Sequence, residues 1–94
     1  MSKFLVIWSL QPDGLRQDLT QAVLRMPEYA KDLRNRKKLD VRYHIVGGHG
    51  GAWIYDVDNN EELDRLLAMS PVYNFATYTV YALAKMDDDA PSQK

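Results

Sequence analysis

Apolar positions along this chain change period several times, and each change marks an element. Phe4 to Leu10 is apolar except for Ser9 and is bounded by Gln11-Pro12-Asp13-Gly14. A run of β-forming residues of that length reads as a central strand buried on both faces. Leu15, Leu19, Ala22, Val23, Met26, Ala30 and Leu33 then recur at spacings of three and four, the stripe of an amphipathic helix. Asp13 is placed to cap it. Pro27 lacks an N–H and disfavours helical geometry at Met26, so the helix is expected to kink or restart there. A restart puts Pro27 in the first turn with Glu28 beside it, where the helix dipole favours a carboxylate. On a straight helix Leu24 and Glu28 fall opposite the apolar stripe; a kink changes that.

The basic run Arg34-Asn35-Arg36-Lys37-Lys38 ends this helix. It reads as a solvated last turn that complements the negative end of the dipole, with an anion-binding patch as the alternative. Leu39 to Val46 alternates well: Leu39, Val41, Tyr43 and Ile45 on one face, Asp40, Arg42, His44 and Val46 on the other. Gly47-Gly48-His49-Gly50-Gly51 follows and leads into the apolar, aromatic run Ala52–Val57. Strand, glycine turn and strand predict a hairpin. Asp58 with Glu61, or Asn59 with Glu62, resembles a capping box for a second helix. Leu63, Leu66 and Leu67 form its buried stripe and Ser70-Pro71 stops it. Asn74 to Leu83 is a last strand rich in Tyr, Phe, Thr and Val.

The order β-α-β-β-α-β, with right-handed crossovers, predicts a ferredoxin-like α+β fold. It has a four-stranded antiparallel sheet with its helices on one face. Residues 1–84 make one domain. Residues 85–94, with Asp87-Asp88-Asp89 and Pro91, read as a flexible acidic tail or an arm across a neighbour. The second sheet face is left bare, and on the order of several hundred Å² of aromatic-rich surface is an association surface. Two sheets packed face to face give a dimeric α+β barrel whose interior holds an apolar ligand.

Composition narrows the partners. A 94-residue chain buries only about 60–65% of its unfolded surface, so a homodimer or larger assembly would help it. The net charge of −1 gives no electrostatic reason to expect nucleic acid or anionic membrane. The chain has no cysteine, which excludes disulfides, thiolate metal sites and cysteine nucleophiles. The apolar run at the start is too short for a membrane span and lacks a signal cleavage site, so a cytoplasmic location is expected. Two histidines without a paired carboxylate make a poor metal site. The glycine loop joins two strands, so it matches neither a dinucleotide fingerprint nor a phosphate loop.

Four glycines around His49 imply a sharp bend or a close backbone approach. His49 is then either a turn residue facing water or an imidazole presented to a small-molecule site. Arg42 and His44 share a strand face and either form surface pairs or hold an anion. Trp8, Trp53, Tyr55 and Tyr73 read first as core or dimer contacts, and Trp53 also as a wall for a substrate.

The chain resembles the muconolactone delta-isomerase family. The resemblance rests on the element order, Gly48-His49 after the second strand, Trp53-Ile54-Tyr55-Asp56-Val57, Glu61-Glu62-Leu63, and Met69-Ser70-Pro71-Val72-Tyr73 before an aromatic strand. It spans roughly residues 3–84. It implies paired sheets, a small-molecule substrate, no cofactor or metal, and movement of a double bond within an unsaturated lactone. The chain departs from the family in one extra glycine before His49 and in His44 at an expected arginine position. The family's helix-one carboxylate falls near Glu28. Such a shift needs a base beside a carbonyl, an acid to return the proton and a donor for the enolate oxygen. His49 is the leading base, since imidazole titrates near working pH. Glu28 is second if desolvated. Arg42 and His44 hold a carboxylate or carbonyl, and Tyr78 donates from the last strand. Related cyclases, dehydratases and cofactor-free oxygenases are the alternative chemistries, and a non-catalytic binding or assembly module is the alternative class.

Overall fold

The computed structural model describes residues 2–11 and 17–86. The elements run β1 (Ser2–Leu10), α1 (Gln17–Leu24), α2 (Met26–Asn35), β2 (Leu39–His44), β3 (Gly50–Val57), α3 (Asn60–Ala68), a 3-10 turn (Tyr73–Phe75) and β4 (Ala76–Leu83). The strands lie in the order β2-β3-β1-β4 with every neighbouring pair antiparallel, the expected ferredoxin-like α+β arrangement. Asp13 and the segment 87–94, the expected cap and most of the acidic tail, lie outside the described residues.

The amphipathic run of the first helix is two helices. α1 ends at Leu24, a turn at Arg25 intervenes, and α2 restarts with Pro27 in its first turn. The missing N–H falls where a helix has no partner for it. The α2 C-terminus closes on Lys37, whose φ of 61° is left-handed. Lys37 donates its N–H to the Arg34 carbonyl and Lys38 to that of Leu33, the Schellman pattern. Arg36 pairs with Asp32 one turn back. The last turn of the basic run is therefore an end cap.

Asn59 caps α3: its side chain accepts from the Glu62 N–H at 2.8 Å, while Glu62 Oε1 accepts from the Asp58 N–H at 2.8 Å. Glu62 also pairs with Lys38 at 2.9 Å. These contacts, the Asp58 hydrogen bond first, hold its carboxyl below the usual glutamate range.

Phe4 and Val6 of β1, Trp53, Tyr55 and Val57 of β3, and the stripes of α2 and α3 form the core. No described residue covers the opposite sheet face. Leu5 and Ile7 are only half-buried there, so β1 is central but not enclosed on both sides. Leu5 stands opposite Ile54 on one side and Tyr81 on the other, and Val41 opposite Ile54. An apolar row thus crosses all four strands.

β2 departs from its sequence pattern. Leu39 pairs with Tyr55, but Val41 pairs with Ile54, so a bulge sits between Leu39 and Val41. The extra residue reverses the alternation. Leu39 is buried on the helix side with Tyr55, whereas Val41 and Tyr43 turn to the open face. Arg42 and His44, opposite Trp53 and Gly51, join the helix side. Leu39 therefore does not share a face with Val41 and Tyr43.

Candidate active site

A cleft of about 760 Å³ opens on the helix side of the sheet, within the range of small-molecule sites. It is not on the open face, where paired sheets would enclose a barrel. The reason is local. The chain breaks between α1 and α2, and the helices leave the Leu10 end of the sheet partly uncovered. Leu19, Val23, Leu24, Met26 and Pro27 form one wall; Trp8, Leu10 and Trp53 form the floor. Arg42, His44 and His49 supply polar groups, with Gln11, Thr20 and Tyr43 also in the lining. No carboxylate is among the described lining residues.

The glycine loop is shaped by two close approaches. A Cβ at Gly50 would lie 1.9 Å from the Trp8 carbonyl oxygen, and one at Gly51 2.6 Å from Trp53 Nε1. Only glycine fits at either position. The loop is further tied by the Leu10 N–H, which donates to the His49 carbonyl at 2.8 Å. His49 is thereby held at the cleft with its side chain exposed.

Trp53 is 3% exposed and is the hub of the floor. Trp8 meets it edge-on at 5.9 Å, and Tyr29 and Tyr55 lie beside it at 6.1 and 6.2 Å. The Arg42 guanidinium sits 5.5 Å from the Trp53 ring centroid. No described carboxylate pairs with Arg42.

Behind Trp53 the Tyr29 hydroxyl donates to the Leu66 carbonyl at 2.6 Å, and the two phenol oxygens of Tyr29 and Tyr55 are 3.2 Å apart. With the Tyr29 proton committed to Leu66, Tyr55 donates to Tyr29. Burial pushes the Tyr29 phenol up to about 12 and raises that of Tyr55. Sequence reasoning missed Tyr29, although its place three residues after Met26 and four before Leu33 puts it on the buried stripe.

The structure thus brings His49, Arg42, His44 and Trp53 to one cleft. Glu28 follows Pro27 of the rim, but its side chain is exposed and not part of the lining. Tyr78 is on the helix side opposite Trp8, also outside the lining. Its hydroxyl is buried near Ser70 with no hydrogen bond of ordinary geometry. No group of three or more His, Asp or Glu side chains able to hold a metal occurs among the described residues.

A model of the muconolactone delta-isomerase family matches residues 3–89. The chain belongs to that family. The fold agrees: muconolactone isomerase, known from a crystal structure at 3.3 Å resolution, superposes with a TM-score of 0.80 at 21% identity over 94% of each chain. The 5-chloro-2-hydroxyhydroquinone dehydrochlorinase of Burkholderia phenoliruptrix AC1100, in complex with 2,5-dihydroxybenzoquinone, superposes with a TM-score of 0.72 at 16% identity. That match covers 87% of this chain and 93% of the other. No curated protein sequence matches. The family and both structural neighbours are enzymes by name. No described helix is long and apolar enough to cross a membrane.

Proposed function

We propose that this protein is a cofactor-independent isomerase that shifts a double bond by proton transfer in a small unsaturated lactone or cyclic carbonyl compound. The observation that supports it best is the grouping of His49, Arg42 and His44 around an apolar, aromatic-floored cleft with no described carboxylate in its lining. His49 acts as the base beside the carbonyl and returns the proton one allylic position away. Arg42 and His44 hold the substrate's carboxylate or the developing enolate oxygen. Trp8 and Trp53 face the flat ring. Glu28 stands second as base because its side chain lies outside the lining, and Tyr78, also outside it, is the remaining candidate donor.

The reaction is a redistribution of one proton and one π-bond, so it needs no co-reactant. The same base could remove a proton and let a leaving group depart. A dehydrohalogenation on a quinol-type ring is therefore the second reading, favoured by the dehydrochlorinase likeness. Incubating the protein with muconolactone and, separately, with a chlorinated hydroxyhydroquinone tests both. Loss of the first substrate by ultraviolet absorbance with an isomeric product by mass supports the isomerase. Chloride release from the second supports the eliminase. Turnover of neither removes both readings.

The protein is further inferred to work as a homodimer or larger assembly, in the cytoplasm, with the bare sheet faces packed together.

A further inference from the structure

Arg42 is the strongest cation of the cleft, yet no described carboxylate holds it in place. Its one described partner is the face of Trp53. A guanidinium attached through a flexible stem ranges widely unless something fixes it, so where Arg42 points depends on where the indole lies. Two features fix the indole. On one side, the bare Cα of Gly51 lets Trp53 Nε1 and Cδ1 approach to within the space a Cβ would fill, at 2.6 and 3.0 Å. On the other, Tyr29 and Tyr55 lie against the ring at 6.1 and 6.2 Å. Their hydroxyls are chained to each other and to the α3 backbone at Leu66.

We infer that Gly51 and Tyr29 are positioning residues that set the acid specificity of the cleft: they clamp Trp53, and Trp53 aims the Arg42 guanidinium at a ligand's carboxylate. This rests on the reading of the cleft as a site for an oxygen-bearing small molecule held by Arg42. Gly51 and Trp53 both line the cleft, so loss of the clamp shifts the apolar floor as well as the direction of the positive charge. The floor meets an acid and its ester alike, so the ratio of their affinities reports the charge.

The test uses phenylacetate and its neutral methyl ester as matched probes, titrated by calorimetry into the full chain. The unmodified protein is expected to bind the acid at least about tenfold more tightly than the ester. Arg42→Ala should abolish that preference. Gly51→Ala should reduce the acid-to-ester affinity ratio at least about fivefold, whatever the displaced floor does to both affinities together, and Tyr29→Phe, outside the lining, should act in the same direction. Should Gly51→Ala fail to fold, Tyr29→Phe decides. In the unliganded protein the Arg42 side-chain proton resonances are expected to be shifted upfield by the Trp53 ring current and to return toward ordinary positions in both variants. If Arg42→Ala abolishes the preference while the Tyr29 and Gly51 variants keep both it and the upfield shift, the clamp is overturned and the cleft reading stands. If the unmodified protein shows no acid preference, or Arg42→Ala leaves it intact, the cleft reading falls and takes the clamp with it.

Discussion

The Arg42 guanidinium lies over the Trp53 ring, 5.5 Å from its centroid, on the side of the sheet that faces the helices. A bulge put it there. Had β2 kept the alternation of its sequence in register with β3, the Leu39 that packs against Tyr55 would have carried Val41 and Tyr43 with it, and Arg42 would face the other way. The contact itself is worth about 0.5–1 kcal/mol at an exposed site, too little to hold the fold but enough to direct a side chain.

His49→Ala should lower turnover by at least about a hundredfold, the scale of a lost general base. The far-ultraviolet circular dichroism should not change, because among the described residues His49 takes part in the fold through its carbonyl, which accepts from Leu10, and its side chain is exposed. Glu28→Gln, at an exposed position off the lining, should cost less than about threefold under the same assay. The reverse ranking would transfer the base to Glu28.

Gly50→Ala and Gly48→Ala should separate sharply in a urea titration. The first forces a methyl to 1.9 Å from a β1 carbonyl, while the second meets nothing nearer than 3.5 Å. The expected losses are more than about 3 kcal/mol for Gly50→Ala and less than about 1 kcal/mol for Gly48→Ala.

Lys37→Gly should stabilise the protein by about 0.5–1 kcal/mol, because Lys37 occupies the left-handed closing position of α2 that glycine adopts without strain. A shift of the urea midpoint to higher concentration at constant slope is the readout. No change, or a lower midpoint, contradicts the account of that cap.

Tyr29 and Glu62 show the pH dependence at its alkaline and acid ends. Tyr29 is raised in the folded state to about 12. Its stabilising contribution is therefore whole below about pH 10, the unfolded value, and is lost as pH climbs from there through about 12. Absorbance at the tyrosinate band should show one class of tyrosines that ionises late, reduced in Tyr29→Phe. Glu62 is lowered, so its contribution is present above the unfolded glutamate value of about 4.3 and is lost as pH falls below it. Glu62→Gln should flatten the acid side of the stability curve.

Sedimentation at micromolar concentration should give a dimer or larger species, and Leu5→Glu should give a folded monomer. Leu5 sits mid-row between Ile54 and Tyr81 on the bare face, where a buried carboxylate is costly. A monomeric unmodified protein would remove the paired-sheet proposal.

Much of the framework was legible from periodicity, because a helix or strand records its buried face locally. A kink or restart at Pro27, a cap at Asp58–Glu61 or Asn59–Glu62, and the order β-α-β-β-α-β follow from residues a few positions apart; the structure takes the restart and the Asn59–Glu62 cap. His49, Arg42 and His44 were legible as cleft candidates because polar side chains beside a glycine turn in an otherwise apolar hairpin stand out. Glu28 sits beside the wall that Met26 and Pro27 form, but is exposed and outside the lining; its facing depended on the break between α1 and α2, which the spacing alone left open.

Within one chain, then, local pattern alone determined which segments are helix and strand, how they follow one another, and that the glycines answer either a sharp bend or a close approach. Tertiary structure decided what lies against what: the register slip at Leu39–Val41, the Tyr29–Tyr55 hydroxyl chain, the indole seated on Gly51, and a cleft beneath the helices. The physical reason is that periodicity is set by neighbours three or four residues apart, whereas a bulge or a ring contact depends on atoms brought together from tens of residues away.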